Sequence, residues 1–497
     1  MNPLRLLAMS TVFTMAGVPV SATESTLPVV ESTLDGGRFG IVHVFRPTTA
    51  PTNVALLFSG DGGWKGGVAD YARRLASEGF LVAGVDNNVY IASIAPSARK
   101  HGARTKPPAC VFVAGDVEAL SQHLQWAQKL PNYLRPVLFG YSAGASVVYT
   151  TLAQAPRGTF AGGVSLSFCS EMDTGGASLC PGAGLRYTPI PKSTEVSLQP
   201  DPKLAFPWTI VHGNRDTVCG AKQTRDFVAK IPEAKLIALS RATHELTPTD
   251  EWWPRLRQDY RNMLVADTAI APTAATTVRV ATDPHSLDDL PLAIVPATAK
   301  ENDTFAVMIS GDGGWAGLDQ GVSGELAAHG VPVVGLNSLK YFWHERTADS
   351  TAADVTRIIE QYAARWQKTR VLLVGYSFGA DVMPFVFNRL PATTRARVAS
   401  VSLMGLGPAA TFEVTVGEWL PGADDKGDPV VPEIARMPVV PMLCVMGEGE
   451  KDSSCPKLQL PNVTVRQIGD GHHFSGLAPE IAAAILSVAG IRADTET

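Results

Sequence analysis

Short apolar runs alternate with amphipathic stretches along most of the chain, and the whole series occurs twice. Val54 to Phe58 and Val307 to Ile309 are apolar runs that enter glycine-rich loops, the signature of buried strands. Helical stretches follow around Tyr71 to Glu78 and Gly321 to His329, and then come new apolar runs at Leu81 to Val85 and Val331 to Leu336. From Ala352 to Trp366 the spacing places Ala352, Val355, Ile359, Tyr362 and Trp366 on one face, which predicts an amphipathic helix leading into a strand at Val371 to Val374. Strands alternating with helices predict a parallel sheet covered on both faces.

The repetition extends to the letters. Leu57-Phe58-Ser59-Gly60-Asp61-Gly62-Gly63-Trp64 returns as Met308-Ile309-Ser310-Gly311-Asp312-Gly313-Gly314-Trp315, and the run Val137 to Ala145 around Ser142 returns as Leu372 to Ala380 around Ser377. A repeat this long is a duplicated domain, since stacked solenoid units repeat every ~20 to 50 residues. Residues 266–282 are rich in Ala and Thr, contain Pro272 and lack an apolar period, so the linker is expected there. The predicted layout is a first domain over 23–265 and a second over 283–497.

Residues 1–22 stand apart. Arg5 precedes an apolar stretch from Leu6 to Val20, and Val20-Ser21-Ala22 supplies small residues before a cleavage point. This order predicts a cleavable export signal, because the run falls short of the ~20 residues that a membrane span needs. Hydrophobic residues at 45% and charged residues at 18% exclude a mainly unfolded chain. A net charge of −5 offers no general attraction to nucleic acid. Six cysteines in an exported chain, none in CxxC spacing with matching histidines, suit disulfides and no metal. Local bridges Cys444–Cys455 and Cys169–Cys180 are expected, leaving Cys110 and Cys219.

The chemistry begins at GxSxG, which occurs as Gly140-Tyr141-Ser142-Ala143-Gly144 and as Gly375-Tyr376-Ser377-Phe378-Gly379, each time between an apolar run and a helical stretch. A serine on a tight strand-to-helix turn needs small flanking residues, and the turn lifts its Oγ clear of the sheet as in an α/β-hydrolase. The N–H of Phe378 or Ala143 then faces any oxyanion. The repeated SGDGGW is expected to supply the second donor, at Gly313 and Gly314. In this fold the acid and base follow the serine in that order. After the run Pro441 to Met446 come Glu448, Glu450 and Asp452, and after Val463 to Ile468 come His472 and His473. In the first copy Thr209 to His212 leads to Asp216, and Leu236 to Leu239 leads to His244. Matching Cys219 with Cys455 also matches Asp216 with Asp452. The expected triads are Ser377, Asp452 and His472, with His473 as rival base, and Ser142, Asp216 and His244. His212 reads as the end of a strand.

With SGDGGW, GYSFGAD from Gly375 to Asp381, Tyr341-Phe342-Trp343 and GHHF near the end, the sequence resembles the VirJ/AcvB family of exported bacterial virulence proteins, over nearly the whole mature chain. The tandem layout resembles its AcvB-type members. The resemblance implies two α/β-hydrolase-like domains in the periplasm and, from characterised members, hydrolysis of lysyl- or alanyl-phosphatidylglycerol with a role in lipid homeostasis, the nucleophile mapping to Ser377. The first copy departs from the pattern at Ser146, where the second has Asp381, and at Thr243-His244-Glu245-Leu246, where the second has GHHF. A second active site, a lipid-presenting platform and a docking domain are all open to it.

An aminoacyl substrate carries an ammonium group, so an acidic pocket is expected, with Asp312 and Asp381 as its nearest candidates. Tyr341, Phe342 and Trp343, with Trp315, are expected to line the lipid side or to pack in the core. No cofactor is needed for acyl transfer to serine. The partners implied are the lipid at a membrane surface and secretion or virulence proteins. Another exported carboxylesterase or lipase, or a noncatalytic secretion-associated scaffold, are the alternative readings.

Overall fold

The computed structural model describes residues 27–65, 67–96, 110–249, 251–270, 286–414, 427–474 and 476–491. The expected export signal lies outside these residues, as does most of the expected linker.

The first half is built on an eight-stranded sheet in the order β1-β2-β4-β3-β5-β6-β10-β11. Its strands are β1 (Val29–Asp35), β2 (Ile41–Pro47), β3 (Asn53–Phe58), β4 (Phe80–Val85), β5 (Val137–Tyr141) and β6 (Gly162–Leu166), followed after an excursion by β10 (Trp208–Gly213) and β11 (Ala234–Leu239). The excursion is a small antiparallel sheet of β7 (Glu171–Asp173), β8 (Tyr187–Pro189) and β9 (Glu195–Leu198). Only β2 runs against its neighbours β1 and β4; the pairings from β4 to β11 are all parallel. Helices α1 (Val68–Ser77) and α6 (Trp253–Ile270) cover one face. Helices α2 (Asn87–Ile94), α3 (Val113–Ala127), α4 (Ala143–Gln154) and α5 (Ala221–Val228) cover the other. Because α6 continues to Ile270, the expected linker begins inside a helix.

The second half repeats the plan with seven strands in the order β12-β14-β13-β15-β16-β19-β20. They are β12 (Leu292–Val295), β13 (Thr304–Ile309), β14 (Val333–Leu336), β15 (Arg370–Tyr376), β16 (Val398–Met404), β19 (Met442–Glu448) and β20 (Val463–Asp470), with a two-stranded ribbon of β17 (Ala409–Ala410) and β18 (Asp428–Pro429) between. Helices α7 (Gly317–Ala328) and α13 (Ala478–Val488) pack on one face. On the other lie α8 (Ser338–Tyr341), α9 (Ala348–Arg365), α10 (Phe378–Arg389) and α12 (Val430–Ala435), with the short α11 (Ala392–Arg395) against α9. Sheets buried on both faces explain why the strands read as continuous apolar runs. No helix among the described residues is long and apolar enough to cross a membrane.

The halves are in contact. Trp343 Nε1 donates to the Leu130 carbonyl oxygen at 2.8 Å, and the Tyr133 ring lies 5.4 Å from the Trp343 ring within the second half's core. Tyr341 and Phe342 are also buried, so the aromatic trio is core and joint and not a lipid-facing wall. Trp315 is no wall either. Its ring lies on Gly335, where a Cβ would meet it at 2.0 Å, as the Trp64 ring lies on Gly84.

Three disulfides join Cys110 to Cys180, Cys169 to Cys219 and Cys444 to Cys455. The expected Cys169–Cys180 bridge is corrected: Cys180 is drawn to Cys110 by the pairing of Val111 with Leu179, which leaves Cys169 for Cys219. Three bridges and no free cysteine suit an oxidising compartment.

Candidate active site

Each half carries a serine at the β5–α4 or β15–α10 turn, and in both the backbone is strained: φ is +54° at Ser142 and +51° at Ser377. The flanking glycines allow it. A Cβ on Gly375 would lie 2.4 Å from the Gly379 carbonyl oxygen, and one on Gly379 would lie 2.1 Å from that of Ile309. Ser377 N–H donates to Met404 O and Ser142 N–H to Leu166 O, so each turn is also tied to the next strand.

In the second half His472 Nε2 lies 2.8 Å from Ser377 Oγ, and its Nδ1 lies 2.5 Å from Glu450 Oε1. In the first half His244 Nε2 lies 2.9 Å from Ser142 Oγ, and its Nδ1 lies 2.8 Å from Asp216 Oδ2. The structure therefore brings Ser142, Asp216 and His244 together, but the carboxylate on His472 is Glu450 and not Asp452, which is exposed. The physical reason lies in the glycine that ends the acid-bearing strand. A Cβ at Gly213 would stand 2.3 Å from Thr243 O, and one at Gly447 would stand 2.0 Å from Gly471 O. These glycines are the equivalent points, and the acid comes three residues after each. Cys219 and Cys455 are not equivalent, because one bridges to Cys169 and the other to Cys444.

Both acids are held by the main chain. Asp216 accepts from Val218 N–H and Cys219 N–H at 2.9 Å each, and Glu450 Oε2 accepts from Gly447 N–H at 2.9 Å. His212 is buried with its Nε2 at 3.0 Å from the Cys219 carbonyl oxygen, bracing the Asp216 loop. The tyrosine before each serine secures the base: the hydroxyls of Tyr141 and Tyr376 donate to the carbonyl oxygens of His244 and His472 at 3.4 and 3.3 Å. His473 makes no contact of this kind with Ser377. Its ring packs 5.2 Å from that of Phe112, and burial, then the neighbouring His472, lowers its pKa.

The oxyanion assignment to Gly313 and Gly314 is also corrected. Gly314 N–H donates to Gly311 O at 3.0 Å and Gly313 N–H to its neighbour Asp312 Oδ1 at 3.1 Å, so both are spent within the loop. Gly311 is the residue that lies against the serine, since a Cβ there would be 3.6 Å from Ser377 Cβ. Neither the N–H of the next residue, Asp312, nor that of Phe378 has a hydrogen-bond partner among the described residues, which leaves both open to an oxyanion.

The electrostatics of the second site are acidic. Burial works against a charged His472, but the bond to Glu450 and the charges of Glu450, Asp312 and Asp381 outweigh it and raise its pKa. Asp381 is pushed up to about 7, foremost by burial, while its Oδ1 accepts from Gly407 N–H at 2.7 Å. The counterpart in the first half, Ser146, instead donates its hydroxyl to Cys169 O. Donor atoms of Asp216, Cys219 and His244 lie within 4.8 Å of one another, but the Cys219 sulfur is in a disulfide and both His244 nitrogens are engaged, so this grouping is a relay and not a metal site.

The chain is thus a tandem α/β-hydrolase-fold protein with a serine, a histidine and a carboxylate in contact in each half. The profile of the family described as Bacterial virulence protein (VirJ) matches residues 52–161 and 303–493, more than half of the chain, and the chain belongs to that family. Among solved structures, TT1662 from Thermus thermophilus is similar at 19% identity with a TM-score of 0.31, covering 48% of this chain and 99% of its own. A protein described as a dienelactone hydrolase from Klebsiella pneumoniae subsp. pneumoniae MGH 78578 is similar at 16% identity with a TM-score of 0.33, covering 47% of this chain and 99% of its own. No curated protein matches the sequence.

Proposed function

We propose that the chain is an exported serine hydrolase of the AcvB type that cleaves the aminoacyl ester of lysyl- or alanyl-phosphatidylglycerol at the periplasmic membrane surface, through Ser377, His472 and Glu450. The observation that carries the reading is the contact of His472 with Ser377 on one side and Glu450 on the other, at an elbow surrounded by further carboxylates. His472 removes the proton from Ser377 Oγ as it attacks the aminoacyl carbonyl, and Glu450 stabilises the imidazolium that forms. The N–H groups of Phe378 and Asp312 receive the oxyanion. His472 returns the proton to the departing glycerol oxygen of phosphatidylglycerol. A water deprotonated by the same histidine then releases the amino acid and restores the serine. The family resemblance supplies the lipid, and the carboxylates around His472 favour an acyl group that carries an ammonium. The first half, with its own relay at Ser142, is a second hydrolytic site in the same chain.

Release of labelled lysine and alanine from the two lipids by purified protein, with Ser377→Ala beside it, tests the reading. Loss of release in the variant supports it. Faster turnover of short neutral esters than of either lipid would mark a general carboxylesterase, and inert wild-type protein would leave the noncatalytic scaffold.

A further inference from the structure

Helix α3 belongs to the first half, yet it borders the second half's relay. Phe112, at its N-terminal end, has its ring 5.2 Å from that of His473, beside the base. Further along, Glu118 reaches the loop after β13: a Cβ placed on Gly313 would stand 2.9 Å from Glu118 Oε1. Neither hydrogen bond nor ion pair is found for this carboxyl among the described residues. Burial first, and then the charge of another carboxylate, Asp312, pushes its pKa up to about 8. Beneath the same loop Asp319, 2% exposed, has an Oδ1 without a partner.

Glu118 meets the cost of its position beside Asp312 by holding its proton near neutral pH, and a cation between the two carboxyls would let it ionise. The loop that Glu118 touches at Gly313 lies against Ser377 at Gly311, so such a cation would arrive with whatever ester occupies the site. We propose that Glu118 is a specificity-determining residue of the second half's site and receives the ammonium group of the substrate's acyl portion, an inference that rests on the reading of that site given above. The catalytic relay is complete within the second half, whereas its choice of acyl group is shared between the halves.

The test compares alanyl-phosphatidylglycerol with its N-acetyl derivative in the same mixed micelles, for wild type, Glu118→Gln and Glu118→Asp. The two lipids share a leaving group and differ in the ammonium. Wild type is expected to prefer the free amine, and Glu118→Gln to lose about tenfold of that preference through KM, the equivalent of ~1.4 kcal/mol. Turnover of the N-acetyl lipid should be retained, and Glu118→Asp should restore part of the preference. A Glu118→Gln protein that keeps the full preference, or declines equally on both lipids, overturns the role of Glu118 while leaving the esterase reading intact. A wild type without preference for the free amine likewise overturns the role of Glu118, whereas a wild type that hydrolyses neither lipid overturns the esterase reading.

Discussion

His472 Nδ1 lies 2.5 Å from Glu450 Oε1, whereas Asp452, two residues further along the same loop, is exposed and faces solvent. The carboxylate on the histidine fixes the tautomer that can accept the serine proton. Glu450→Gln should therefore lower kcat for ester hydrolysis by ~10³ to 10⁴, the scale seen when a triad acid becomes an amide. Asp452→Asn should leave it within about twofold, as surface substitutions do. Steady-state rates of the two variants decide between the two acids.

The raised pKa of His472 sets the pH profile. The base must be neutral to act, so kcat/KM rises as pH climbs through its pKa, and the midpoint should lie above the ordinary histidine value of ~6.5. Asp381→Asn keeps an acceptor for Gly407 N–H and removes one of the charges that favour the imidazolium, so the midpoint should move down. The movement should be modest, since Asp381 with its own value near 7 is only partly ionised there. A midpoint that stays put or rises would remove Asp381 from the site's electrostatics.

Two relays predict two reactive serines. A fluorophosphonate probe should label wild type at Ser142 and Ser377, each single alanine variant once and the double variant not at all. Intact-mass measurement reads the stoichiometry. A wild type labelled only at Ser377 would make the first half a structural partner.

The Cys169–Cys219 bridge anchors the loop that carries Asp216, and Cys219 N–H bonds to the acid directly. Replacing both cysteines by serine should cost the first half ~2 to 4 kcal/mol and slow labelling of Ser142. Labelling of Ser377, whose acid loop is tied by Cys444–Cys455, should be unchanged. Calorimetry and labelling kinetics separate the two effects.

The duplicated sheets were legible because strands buried on both faces leave continuous apolar runs, and the two elbows because a strained serine demands glycines at fixed spacing. The strand expected at Val371 to Val374 and the helix expected after Ser377 are both present, the strand running from Arg370 to Tyr376. Glu450 was hidden by a choice of landmark. Cysteines look like fixed points in a sequence, but these two have different partners, while the glycine before each acid has a steric reason to stay in register. The aromatic trio stayed open between wall and core in the sequence because a joint between two halves is apolar in the same way as a lipid-facing wall. Glu118 carried no signal at all: its meaning arises from an approach between residues nearly two hundred positions apart in the sequence.

The contacts at Gly213 and Gly447 give the relay a mechanical character. Acid and base ride on separate loops, yet the two backbones touch at these glycines with no room for a methyl group. The pair behaves as a clasp whose pin is an absent side chain. Its alignment depends on the spacing of main chains, so disarming the protein requires no change to any atom that takes part in the reaction.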